Sequence, residues 1–149
     1  MLLGQLLKSV KEKYKRIHIK GISFDSRKVK RKDIFFAIDG IRVSGRQFTN
    51  KAILKGASVI VSSKKTNYKN KKIPFVFVKD VRASLSEACS NFYKKKPKKI
   101  IAVTGTNGKS SVVNFFYQIL NLNKIPVASI GTLGIFAKNF KKKNKFNIN

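Results

Sequence analysis

The stretch Lys99-Ile100-Ile101-Ala102-Val103-Thr104-Gly105-Thr106-Asn107-Gly108-Lys109-Ser110-Ser111 decides how this 149-residue chain is read. Residues 99–103 are a short apolar run that predicts a buried strand, 104–108 a glycine-containing loop, and 109–122 a helix. A second apolar run over 126–130 completes a β-α-β unit, the start of a parallel sheet. A strand, a glycine loop and a helix in that order are the context a phosphate-binding loop requires. Gly105 and Gly108 let backbone N–H groups of Thr106, Asn107 and their neighbours close around phosphate oxygens, and the helix start adds a favourable dipole. Lys109 then supplies a point charge to the β- and γ-phosphates of a nucleotide, and the Ser110 hydroxyl is suited to Mg²⁺, with Ser111 next in the first helical turn. One position departs from the general G-x-x-x-x-G-K-S/T form, because Val103 stands where its first glycine belongs. The bland alternative is a strand, turn and helix with an incidental Gly-Lys-Ser.

Upstream of this unit the run Lys94-Lys95-Lys96-Pro97-Lys98-Lys99 has no apolar residue and separates it from an earlier alternation of strands and helices. A boundary is expected there, giving a first domain over 1–93, a linker over 94–98 and a second, incomplete domain over 99–149. Leu2, Leu3, Leu6, Leu7 and Val10 recur at helical spacing and predict an amphipathic helix over 2–14. Ile17, Ile19 and 22–24 read as strands, as do 33–38, 58–62 and 74–78. Residues 46–56 read as a helix ended by Gly56, and Asp80 is placed to cap a helix running over 81–93.

With 42% hydrophobic residues and 12 Phe the chain is a folded protein. Its net charge of +28 invites a polyanion-binding reading. Yet 28 of the 34 basic residues are Lys and only 6 are Arg, while readers of bases and phosphates favour the Arg fork. With 12 Asn as well, the pattern reads as a compositional bias, so no specific nucleic-acid partner is expected. Cys89 has no partner for an internal disulfide and lies on an apolar helical face with Leu85, Ala88 and Phe92, as a core thiol would. His18, the single histidine, has no metal-ligand spacing to any other ligating residue. The opening segment lacks the continuous apolar stretch of a signal peptide, and no window is long enough to span a bilayer, so a cytoplasmic location is expected.

Thr-Gly-Thr-Asn-Gly-Lys followed by Ser is similar to the phosphate loop of the Mur ligases and the folylpolyglutamate synthetases. Ser129-Ile130-Gly131-Thr132-Leu133-Gly134 resembles the segment after the second central strand in the tripeptide-synthetase branch of the Mur ligases. Asp25-Ser26-Arg27-Lys28-Val29, Asp33-Ile34-Phe35-Phe36-Ala37, Gly40, Gly45-Arg46, and Ala52 on to Gly56-Ala57 resemble that branch's N-terminal domain. Together these segments run in the family's order over most of the chain.

The resemblance implies an α/β fold: a small N-terminal domain that holds the UDP-muramoyl substrate, followed by the first β-α-β unit of the central ATP-binding domain. It carries substrate contact to Phe24 and Ser26 and to Ile41, Arg42 and Val43. Of these, a Ser hydroxyl suits a uracil edge, an aromatic ring suits its face, and Arg42 suits a diphosphate. On turn chemistry alone, Asp25-Ser26-Arg27 also fits a turn in which Asp25 pairs with Arg27. Where the family usually has Asp before Gly-Arg or Gly-His, this chain has Ser44.

The implied reaction uses ATP to phosphorylate the carboxylate of UDP-MurNAc-L-Ala-D-Glu, after which an amino-acid amine attacks the acyl phosphate, with Lys109 as the catalytic residue and Mg²⁺ as cofactor. Two further domain portions that the family uses are not in this sequence. It therefore reads as a fragment, a truncated gene product or one piece of a split enzyme, inactive alone, with a C-terminal portion of the same enzyme as its expected partner. Alternatives are the related ligase that adds D-Ala-D-Ala, and a non-catalytic module binding UDP-sugar peptides or polyanions.

Overall fold

The computed structural model describes all residues except 41, 42, 64–72, 139 and 144–149, and gives backbone alone for 140–143. It divides into two compact units, Met1–Lys96 and Pro97–Asn149.

The first unit is built on four parallel strands, β1 (Gly21–Ser23), β2 (Asp33–Phe36), β3 (Val59–Ser62) and β4 (Phe75–Phe77), in the order β1-β2-β3-β4. Ile22 lies opposite Ile34, Phe35 opposite Ile60, and Val61 opposite Val76. Parallel strands buried on both faces read as unbroken apolar runs, and Asp33-Ile34-Phe35-Phe36 and Val59-Ile60-Val61-Ser62 are buried throughout. Successive side chains of β2 go to opposite layers. Ile34 and Phe36 join Val59, Val61 and Val76 in a cluster with Leu3, Leu6, Leu7 and Val10, and with Val81 and Ala88 of α3 (Val81–Phe92). Phe35 and Ala37 join Ile60, Val29 and Ala57 beneath Ala52 of α2 (Thr49–Leu54).

The caps follow the residues. The Asp80 carboxylate accepts from the N–H groups of Arg82 at 2.8 Å and Ala83 at 3.0 Å, starting α3. Gly56 closes α2 at φ +99°, with its Cβ position 2.9 Å from Arg31 Cα, so only glycine fits there. Cys89 is half-buried on α3, and burial pushes its thiol pKa up, as suits a core thiol.

The opening of the chain departs from the expected helix over 2–14. It forms only α1 (Leu3–Leu6), an extended Leu7, and a 3-10 turn over Glu12–Tyr14. The Leu3 and Gly4 N–H groups donate to the carbonyls of Ile17 and Lys15, and Leu2 bridges His18, so the returning chain takes up what a longer helix would have used. The apolar side chains still reach the core. Residues 17–19 contribute that single bridge rather than a strand, and β2 stops at Phe36 because the Ile38 N–H turns back onto the Phe36 carbonyl at 3.0 Å.

The second unit corrects the expected β-α-β unit. Its helix is where the sequence places it, α4 (Lys109–Leu122), but residues 99–103 join no ladder among the described residues. Strand β5 (Ala128–Gly131) pairs antiparallel with β6 (Gly134–Ala137), which pairs antiparallel with β7 (Phe140–Lys143). A hairpin closes over a two-residue turn at little entropic cost, whereas a parallel pair must be brought together across a whole helix. No residue of α4 is buried, and Phe115, Ile119 and Ile130 are exposed.

The first unit's two cores should differ sharply from the second unit in their response to truncation. Phe36→Ala should cost about 3–5 kcal/mol in denaturant unfolding of the first unit, the range for a fully buried Phe, whereas Phe115→Ala should leave that transition in place. A Phe36→Ala cost below about 1 kcal/mol would contradict the two-layer core.

Candidate functional site

In the first unit, all four strands run the same way, so the segments leaving them meet at one edge. Ligands of open parallel sheets lie at that carboxyl-terminal edge. Leaving β1, Phe24 is 66% exposed while Ser26 is buried at 6%. Between them Asp25 folds the turn. Its carboxylate accepts from the Arg27 N–H at 2.9 Å, from Nε at 3.0 Å and from the guanidinium Nη2 at 2.9 Å. The local Asp25–Arg27 pairing that turn chemistry allows is therefore formed, and it leaves Phe24 free to face solvent. Arg27 holds the Asp25 pKa down to about 2, chiefly through the side-chain hydrogen bond.

Leaving β2, Asp39 and Gly40 are tied to Val43, Ser44 and Arg46 and to later elements at several points. The Asp39 carboxylate accepts from the Ser44 hydroxyl, and from the Ser63 hydroxyl at 3.2 Å where β3 ends. The Gly40 N–H donates to the Val43 carbonyl at 3.0 Å. Arg46 Nε donates to Ser44 Oγ at 3.1 Å and stands 3.7 Å from Asp39 Oδ1. Arg82, in the first turn of α3, donates to the Asp39 carbonyl at 3.3 Å. A Cβ on Gly45 would lie 2.3 Å from the Ile38 carbonyl oxygen, so the loop's exit admits no larger residue. These bonds keep the Asp39 pKa low, Ser44 being the largest cause.

Of the substrate residues expected from sequence, the structure brings Phe24, Ser26 and the half-exposed Val43 to this one edge, while Ile41 and Arg42 lie outside the described residues. Sequence reasoning missed Asp39, Ser63 and Arg82. No local motif marks Asp39, and nothing in a single sequence joins it to residues more than twenty positions away.

In the second unit, Gly105, Thr106, Asn107, Gly108, Lys109, Ser110 and Ser111 form one continuous loop and helix start. Gly105 at φ +145° and Gly108 at φ +75° take backbone conformations that favour glycine. Lys109 Nζ donates to the Gly105 carbonyl and, at 2.7 Å, to the Thr106 carbonyl, so the ammonium sits inside the loop. The first-turn N–H groups of α4 have no intrahelical partners, and Ser110 and Ser111 are exposed beside them. A cleft of about 190 Å³ opens there, lined by Lys109, Ser110, Asn114, Ser129, Gly131 and Leu133. Residues 97–149 contain no Asp or Glu, and among the described residues no three ligating side chains cluster as a metal site would need.

Residues 18–93 match the family model described as "Mur ligase family, catalytic domain", which is half of the chain. The chain belongs to the Mur ligase family. It is 46% identical over 127 residues to the UDP-N-acetylmuramoyl-L-alanyl-D-glutamate--2,6-diaminopimelate ligase of Rickettsia conorii, a match covering 85% of this chain and 26% of that protein. Its fold superposes with a TM-score of 0.73 at 26% identity on a solved structure of a ligase of that same name, covering 92% of this chain and 28% of that one. It superposes with a TM-score of 0.60 at 25% identity on the Acinetobacter baumannii ligase named for D-alanyl-D-alanyl addition, covering 80% of this chain and 27% of that one. This Mur ligase chain thus spans about a quarter of the length of the relatives it matches. Among the described residues no helix is long and apolar enough to cross a membrane.

The Asp25–Arg27 pair makes a direct prediction. Asp25 titrates lower in the folded chain than its ordinary 3.8, so the stability it contributes is fully present above about pH 4 and is lost as pH falls towards about 2. In Arg27→Ala the Asp25 carboxyl should titrate near 3.8 by NMR. A value that stays near 2 would show that Arg27 is not the cause.

Proposed function

We propose that this chain is the substrate-binding and phosphate-loop portion of an ATP-dependent ligase that joins diaminopimelate to UDP-MurNAc-L-Ala-D-Glu. The observation that carries the reading is the 46% identity to a ligase of that name over 85% of this chain. The stronger superposition on the diaminopimelate ligase, 0.73 against 0.60, favours it over the D-alanyl-D-alanyl alternative.

In this reading Phe24 stacks on the uracil, Ser26 bonds its edge, and the loop holding Ile41, Arg42 and Val43 covers the rest of the nucleotide sugar. The loop N–H groups of Gly105, Thr106, Asn107 and Gly108, with those of Lys109, Ser110 and Ser111, receive the phosphates of ATP. Lys109 leaves the Gly105 and Thr106 carbonyls when phosphate oxygens replace them, and its charge offsets the negative charge on the transferring phosphoryl group. The exposed Ser110 hydroxyl would help to hold Mg²⁺, which when bound would supply charge neutralisation for the transferring phosphoryl group. Since residues 97–149 have no carboxylate, any acidic ligand to that ion comes from outside them. The carboxylate of the muramoyl dipeptide attacks the γ-phosphorus and ADP leaves. The amine of the third amino acid then displaces phosphate from the acyl carbon. We also place the unit boundary near Pro97 as the hinge between substrate-binding and ATP-binding domains, and assign the protein to the cytoplasm, where its nucleotide substrates are made.

Titration calorimetry with UDP-MurNAc-L-Ala-D-Glu should give a binding signal that Ser26→Ala weakens several-fold. Phosphate release with ATP, Mg²⁺ and diaminopimelate should be absent from this chain alone, because positioning supplies on the order of 7–11 kcal/mol in such reactions and the chain spans only about a quarter of the length of the ligases it matches. Absent binding heat would contradict the substrate assignment, and turnover lost in Lys109→Ala would contradict the expected inactivity.

A further inference from the structure

The amino-terminal edge of the first unit's sheet, at the opposite end of the strands from Phe24, gathers cations. Lys20 precedes β1, and Lys30, Arg31 and Lys32 precede β2. Backbone bonds fix them there. The Lys20 N–H donates to the Lys32 carbonyl at 2.9 Å, and the Lys32 N–H donates to the Gly56 carbonyl at 2.9 Å. Arg31 is pressed against Gly56, whose Cβ position lies 2.9 Å from the Arg31 Cα. An open groove of about 260 Å³ is lined by Lys20, Arg31 and Lys32. Lys32 is held at φ +70°, a left-handed conformation that glycine or asparagine adopts at least cost, yet the chain places a cation there.

The acidic residues leave this charge largely unmatched. The chain has six of them, and five are engaged elsewhere. Glu12 pairs with Lys15, Asp25 with Arg27, and Asp39 with the Ser44 and Ser63 hydroxyls, while Asp80 caps α3 and Glu87 accepts from the Lys8 N–H. Asp33 is the one acid at this edge, and it is buried, its carboxylate accepting from the Lys30 N–H at 2.8 Å. Four cations against that one carboxylate leave an excess of positive charge. Lys20, Arg31 and Lys32 make no side-chain hydrogen bond or ion pair among the described residues. A lysine-rich composition accounts for cations scattered over a surface, but not for three braced by backbone around one groove. We propose that this groove is a phosphate-binding site, with Arg31 presenting its fork of donors and Lys20 and Lys32 adding point charges. Neighbouring strands stand about 4.8 Å apart, so long side chains from the starts of β1 and β2 reach one oxyanion together. The three residues of β1 span about 10 Å, which keeps this site apart from the edge that carries Phe24.

Inorganic phosphate and glycerol 3-phosphate are the probes, titrated by NMR into the isotopically labelled whole chain at a constant ionic strength of about 0.15 M, where loose attraction to surface charges is largely screened. Saturable shifts should appear at the backbone of Lys20, Arg31 and Lys32 and at the Arg31 guanidinium, while Phe24 and Ser26 stay unmoved. The same titration of Lys109→Ala removes the response of the glycine loop and should leave that of the groove intact. The Lys20→Gln/Lys32→Asn double variant should bind at least about tenfold more weakly, as expected for the loss of two charge-assisted bonds. Its fold should be kept, because asparagine tolerates the backbone conformation of Lys32. Arg31→Lys should weaken binding by a smaller factor, because an ammonium keeps the charge and lacks the fork. An equal response to both probes would show that the groove takes phosphate esters, and a response to inorganic phosphate alone would restrict it to the free ion. Shifts that rise linearly and spread over the surface lysines, a double variant that binds as the unaltered chain does, or a response confined to residues 105–111 would overturn the proposal.

Discussion

Strand β2 is the constraint on which the first unit depends. It pairs with β1 on one side and β3 on the other, and its alternating side chains supply both cores, Ile34 and Phe36 to one, Phe35 and Ala37 to the other. A strand buried on both faces and both edges has no tolerance for slipped register, since a one-residue shift would exchange its two layers. The register in turn sets where every strand ends. Phe24, Asp39, Ser63 and Arg82 come from four distant parts of the sequence, and they share one edge because the ladder below them is fixed.

That edge shows how a fold creates a site without any residue being chemically unusual. No cluster of three metal-ligating side chains exists among the described residues, and the single histidine sits in a backbone bridge. The edge offers instead one exposed aromatic ring, a buried serine beside it, and a loop closed by Asp39, Ser44 and Arg46. Such a surface suits a large polar ligand that is held while chemistry occurs at its far end. The second unit has the complementary endowment, a glycine loop with an ammonium folded into it and a helix start beside a cleft.

Much of this was legible in the residues because local chemistry decided it. The cap at Asp80, the stop at Gly56, the helix from Lys109 and the glycine loop before it each follow from a few neighbouring side chains. What failed depended on partners far along the chain. The helix expected over 2–14 yields to the backbone of residues 15–19, which meets the N–H groups of its first turn. The strand expected over 99–103 has an apolar sequence, but an apolar run becomes a strand only where a ladder partner is available. The Asp39 network was invisible for the same reason, since its members gain meaning only when strands β2, β3 and β4 end side by side. Serine at position 44 looked like a departure in the loop, yet its hydroxyl is what the Asp39 carboxylate holds.

The central claim is that the carboxyl-terminal edge of the first sheet holds a uridine nucleotide with its base at Phe24. Intermolecular NOEs between the uracil protons of bound UDP-MurNAc-L-Ala-D-Glu and an isotopically labelled chain test it most directly. The account predicts contacts from uracil H5 and H6 to the Phe24 ring and to the backbone of residues 24–26. Contacts instead to Lys20, Arg31 and Lys32, at the opposite end of β1 and β2, or shifts spread over surface lysines without any NOE to Phe24, would contradict it.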